Sequence, residues 1–145
     1  MKGLLAHAQA RINCPVSEVW DALVNPAIIS RYMFGTIVAS EWKKGSAIIW
    51  KGIWQGRAYE DRGVILELVP ERLLTYTHFS PLSGLPDIPT NYHNVKIELS
   101  AVSGATVISL SQDNNPTKEA RDHSQRNWKA MLTGLKELLE GKPQA

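Results

Sequence analysis

Two histidines, His78 and His93, flank a proline-rich stretch, PLSGLPDIPT, at 81–90. If that stretch closes an antiparallel hairpin symmetrically, the two imidazoles face each other. Such a pair can orient a carboxylate or hydroxyl of a ligand, or move a proton near neutral pH. The plainer reading is a hydrogen-bonded pair near the open end of a barrel, satisfied by Tyr76, Gln112 or water. In either case two close, partly buried rings resist joint protonation, so at least one is expected to titrate below its ordinary value of about 6.5. The candidate acids are Glu60, Asp61, Glu67 and Glu71. Neighbours in sequence alternate across a strand, so Glu60 and Asp61 do not share a face, and Glu67 is expected toward solvent. No carboxylate pair is indicated. Cys14 stands just before a helix start, where a thiolate can be stabilised, but it reads as an inert small residue. His7 and His123 read as surface residues. One cysteine with scattered histidines, and no CxxC or HExxH, predicts no metal. GxSxG, P-loop and GxGxxG patterns are absent, and no cofactor is implied.

The elements that must position these groups follow from periodicity. Leu4 to Asn13 reads as a strand. Pro15 and Asn25-Pro26 each open a short helix, the first with Val16, Trp20 and Leu23 at helical spacing and Val19 beside them, the second with Ile28, Ile29 and Tyr32. Gly35 ends the second. Strands follow at 36–40, 46–52 and 57–68, the last two a hairpin around Trp54-Gln55-Gly56, and then at 73–79. Tyr92 to Val102 alternates with the period of a half-buried antiparallel strand. Ser103-Gly104 turns into a strand from Thr106 to Gln112, and DNNP reads as a stop joined to a helix start. From Thr117 to about Glu140 the period becomes helical, with Trp128, Met131, Leu132, Leu135, Leu138 and Leu139 on one stripe and Gly141 and Pro143 ending it. The sheet must cover an apolar face, and the last helix is the only long amphipathic element available.

Composition narrows the function. A chain of 145 residues fits a single domain, 1–145, and can bury roughly 70% of its unfolded surface without disulfide or metal. A formal charge of +2, with basic residues spread along the chain, argues against a nucleic-acid partner. No apolar run approaches the roughly 18 residues of a membrane span, and the N-terminus does not read as a signal peptide. The expected setting is cytoplasmic.

Three segments together resemble a known family: PVSEVWDALVNP at 15–26, GVILELVPERLLTYTH at 63–78 and RNWKAMLTGLKELLE at 126–140. In this order and at these separations they resemble the START-like superfamily (SRPBCC, or helix-grip proteins). Within it they are most similar to homologues of the activator of the heat-shock-protein ATPase. The chain departs from that branch at Asn127, where glycine is common, at His78, where tryptophan is common, and at Gln112, where histidine is common. The separate N-terminal domain of the eukaryotic activators has no counterpart, which weakens a chaperone-activating reading. The resemblance implies an α+β helix-grip fold: a curved seven-stranded antiparallel sheet around a long C-terminal helix, with two short helices between the first two strands. It also implies a cavity between sheet and helix that takes apolar molecules.

Alternation then selects the inward residues. Lys51 turns its face to water, which points Ile48 and Trp50 inward; Tyr76 and His78 share a face, as do His93 and Val95, and Gln112 lies on the inner face of the last strand. Tyr32 and Met33 come from the second short helix, Trp128 and Met131 from the long one. These eleven residues form the expected ligand site. Three readings follow: a binding module for a small, largely apolar molecule; a cyclase- or dehydratase-type enzyme using His78 and His93; and an interaction protein contacting a chaperone or a second copy of itself. The aromatic residues are also consistent with ordinary core.

Overall fold

The computed structural model describes residues 2–141. Seven strands are joined by antiparallel pairing in the order β1-β7-β6-β5-β4-β3-β2. They are β1 (Leu4–Ile12), β2 (Ile37–Ser40), β3 (Ala47–Trp54), β4 (Arg57–Val69), β5 (Leu73–His78), β6 (His93–Val102) and β7 (Ala105–Asn115). Helices α1 (Val16–Val24) and α2 (Pro26–Tyr32) lie between β1 and β2, and α3 (Lys118–Leu139) closes the chain. This is the expected α+β helix-grip architecture. Pro143 falls outside the described residues.

Local chemistry explains the boundaries. The Asn25 side chain accepts a hydrogen bond from the Ala27 N–H (3.1 Å), and Pro26 opens α2 behind it. Thr117 caps α3 by accepting from the Ala120 N–H (3.1 Å). Gln55 and Gly56 both have positive φ (50° and 78°), the backbone that a two-residue hairpin between β3 and β4 requires.

The core is solid where α3 crosses β1 and β7. Ile12, Ile108, Leu110, Leu132 and Leu135 are fully buried there. β1 is one edge of the sheet, and α3 also satisfies its free backbone. Gln125 accepts from the His7 N–H (3.0 Å), Glu140 accepts from the Asn13 N–H (2.9 Å), and the Lys136 ammonium donates to the Arg11 carbonyl.

Two sequence expectations are corrected. The first helix buries Val19, Ala22 and Leu23, at i, i+3 and i+4; Val16 and Trp20 are less buried, because the stripe facing the core is rotated away from them. β7 does not stop at Gln112. It runs to Asn115, with Asn114 at φ 58° and its side chain donating to the Thr90 and Tyr92 carbonyls. The extension buries Asp113, whose carboxylate accepts from the Asn94 backbone, the Asn94 side chain and the Lys2 backbone.

Candidate functional site

The inner face of β3–β5 and the first half of α3 enclose three adjoining cavities. The outermost has a volume of about 370 Å³ and is lined by Phe34, Trp54 and Met131, among others. A middle cavity of about 80 Å³ reaches Trp50, Asp61, Tyr76 and His78. The deepest, about 30 Å³, is bounded by Tyr32, Ile48, Leu74 and Ile97. Met33 and Trp128 line all three, and Thr36 and Tyr59 line the outer and middle ones. They form one tapering recess between sheet and helix.

Register places the polar groups. Trp50 stands opposite Asp61, and Gly52 opposite Tyr59, so Asp61 and Tyr59 share the inward face of β4. The Tyr59 ring packs over Gly52: a Cβ there would meet the Tyr59 hydroxyl at 2.5 Å and displace the ring. At Gly63 a Cβ would meet the Thr77 carbonyl oxygen at 1.7 Å. Glycine therefore lets β4 approach β5 closely, and Asp61 reaches the ring of His78 (Nε2···Oδ2 2.9 Å). Since a carboxylate only accepts, His78 donates from Nε2 and its Nδ1 is the basic nitrogen. The dyad is largely sheltered, with side chains 27% (His78) and 15% (Asp61) exposed. Asp61 Oδ1 is buried and has no hydrogen-bond partner.

Aromatic packing holds the dyad. Trp50 meets His78 edge-to-face with centroids 5.0 Å apart, and tilts against Tyr76 at 5.3 Å. Trp128 donates its indole N–H to the Gln112 side chain, which fixes the ring that separates the cavities. Thr36 and Tyr59 hydroxyls bond each other (2.7 Å) at the passage from outer to middle cavity. Burial pushes the Tyr76 phenol well above its ordinary range, so it remains a donor.

The expected histidine pairing is present: His78 and His93 are register partners, their rings 6.3 Å apart and near-parallel at 29°. Their roles diverge. His93 donates Nδ1–H to the Asp113 carbonyl (2.8 Å) and lines none of the three cavities. Burial lowers its pKa, neighbouring His78 adds to that, and the Asp113 hydrogen bond opposes it. Val95 also lies outside these cavities, fully buried between its register partners Tyr76 and Gln112. Tyr32 reaches the deepest cavity, but its hydroxyl donates to the Ala22 carbonyl (2.7 Å). The other predicted residues, Met33, Ile48, Trp50, Tyr76, His78, Gln112, Trp128 and Met131, all border the recess.

Sequence reasoning named Asp61 among the candidate acids without placing it in the site, and missed Thr36, Tyr59 and Trp54. Stepping back by twos from buried Ile65 through Gly63 reaches Asp61 and Tyr59, a signal obscured by charges at 60, 61 and 62. Cys14 is buried, and burial first, then the carboxylates of Glu18 and Glu140, push its thiol up, which makes it a poor nucleophile. Among the described residues no group of three His, Cys, Asp or Glu is placed to hold a metal ion. No described helix is long and apolar enough to cross a membrane.

A curved antiparallel sheet gripping a long C-terminal helix, with a recess between them, defines a START-like protein. The family model for activator of Hsp90 ATPase homolog 1-like proteins matches residues 13–140, and the chain belongs to that family. The solution structure of ChR145 from Cytophaga hutchinsonii is 52% identical, covers 97% of each chain and superposes with a TM-score of 0.85. CalU16 from Micromonospora echinospora is 21% identical, with 99% of this chain and 86% of that chain covered and a TM-score of 0.72. The Aha1 dimer from Colwellia psychrerythraea is 17% identical, with 94% and 96% covered and a TM-score of 0.74. These last two likenesses speak to the fold. No curated protein is significantly similar in sequence.

Proposed function

We propose that this chain binds a small, largely apolar molecule in the recess between β3–β5 and α3. One observation carries the reading: an open, largely apolar mouth leads into a smaller middle cavity, where the Asp61–His78 dyad is walled by Trp50, Tyr59, Tyr76 and Trp128. Binding sites commonly combine an apolar wall with few convergent polar groups. The ligand is of lipid-, polyketide- or aromatic-like character. The same dyad suits acid–base chemistry, with Asp61 orienting His78 in the place expected for His93. Native mass spectrometry of protein purified from its own host tests the reading. A retained small molecule that is lost in Trp128→Ala is the expected result. Protein free of any adduct, together with no saturable change of tryptophan emission across a panel of apolar compounds, would refute it.

A second reading rests on the rim. Phe34, Ile37, Ile53 and Trp54 are 80%, 66%, 73% and 56% exposed around the short edge strand β2. Large apolar side chains clustered at a free edge suit self-association. A structurally similar protein is described as a dimer. Light scattering tests it: a dimer that becomes a monomer in Ile53→Lys supports this reading, and a monomer at all concentrations excludes it.

A further inference from the structure

We infer that the recess selects molecules whose polar end is an amine, with the ammonium seated against Asp61 and the apolar body in the outer cavity. The inference rests on the binding reading above and adds the charge of the ligand. Three observations carry it. None of the residues lining the three cavities is lysine or arginine, and Asp61 is the one carboxylate among them, with His78 as its partner. Asp61 spends Oδ2 on His78, while Oδ1 is buried with its lone pairs unused. Buried carboxylate oxygens are costly unless they accept a hydrogen bond, and a ligand N–H in the adjoining middle cavity would complete this one once the carboxyl group turns toward it. The middle cavity around it is also walled by Trp50, Tyr59, Tyr76 and Trp128. The faces of such rings attract cations, and the attraction grows when water is excluded.

Size agrees with this placement. A cavity of about 80 Å³ admits a small polar end, and the adjoining cavity of about 370 Å³ holds the apolar remainder. A carboxylate in the same place would meet Asp61 as a like charge, with no lysine or arginine in the wall to offset it. Fatty acids are therefore poor ligands here. Long-range electrostatics points the other way. The whole chain carries +2, which attracts anions, so a preference for an amine must arise inside the recess.

The test uses three probes that share one apolar body: phenylbutylamine, phenylbutanol and phenylbutyrate. Each is titrated into the wild-type full chain by calorimetry. The amine is expected to bind roughly tenfold or more tighter than the carboxylate, with the alcohol between them, because a charge-assisted hydrogen bond is about twice as strong as a neutral one. Asp61→Asn keeps the side-chain shape and removes the charge; the amine preference should collapse while the alcohol still binds. Equal or tighter binding of phenylbutyrate overturns this inference alone and leaves the binding reading intact. So does an amine preference that persists in Asp61→Asn. No binding by any of the three overturns the inference, and only failure of a wider apolar panel as well overturns the binding reading.

Discussion

The two halves of α3 meet the sheet in opposite ways. Its second half buries Leu132 and Leu135 to 1% and 0% exposure against β1 and β7, and its Lys136 donates to the Arg11 carbonyl on the β1 edge. Its first half places Ser124, Asn127 and Trp128 along a recess facing β3–β5. One amphipathic helix thus supplies a packed core at one end and an unfilled wall at the other. Filled volume stabilises a domain, while unfilled volume forgoes dispersion contacts and persists where something else can enter.

The largest expected effect lies in the packed half. Leu135→Ala should lower unfolding stability by roughly 2–5 kcal/mol, read from the midpoint of urea denaturation. In the open half, Trp128→Phe should cost less than about 1.5 kcal/mol, because the ring borders empty space and its substitute remains aromatic. If both variants lost equal stability, the contrast between the halves would be wrong. Gly63→Ala lies between them in kind. The added Cβ collides with the Thr77 carbonyl, so roughly 1–3 kcal/mol should be lost. The carboxyl of Asp61 should also move away from His78, visible as a changed His78 ring resonance.

A smaller effect concerns pH. The folded chain holds His93 below its ordinary 6.5, chiefly because the ring is buried. The unfolded chain therefore takes up the proton first, and stability should begin to fall as pH drops through about 6.5. Asp113 acts at lower pH. Burial raises its carboxyl, but hydrogen bonds from Asn94 and Lys2 outweigh that and hold it below its ordinary range. Its contribution is present above about pH 4 and is lost as pH falls through the folded value. Thermal melts across pH should show the first decline in the wild type and not in His93→Gln.

Most of the fold was legible because its strands and helices carry clean periods. Val95, Ile97 and Leu99 alternate with Asn94, Lys96 and Glu98, and the inward set is buried as expected. The pairing of His78 with His93 followed from a loop of the right length. The candidate site was legible as a wall and, through His78, as half of its pole; Asp61 was not placed there. Trp50, Tyr76 and Trp128 announce themselves by size, whereas Asp61 sits in a run of three charges where no face is visibly apolar. Its inward position depends on the hairpin turn at Gln55-Gly56 and on the close approach at Gly63, which are properties of pairing. The same holds for β7: DNNP reads as a break, yet tertiary hydrogen bonds to Asp113 and Asn114 carry the strand onward.

Amide chemical-shift mapping during titration with phenylbutanol tests the central claim most directly, since that probe binds whether or not the charge preference holds. Saturable shifts should gather at Thr36, Trp50, Tyr59, Asp61, His78 and Trp128, and leave Ile12, Ile108 and Leu135 still. Shifts confined to the exposed rim at Ile37 and Ile53, or an unchanged spectrum with phenylbutanol and with every member of a wider apolar panel, would contradict a ligand-binding recess.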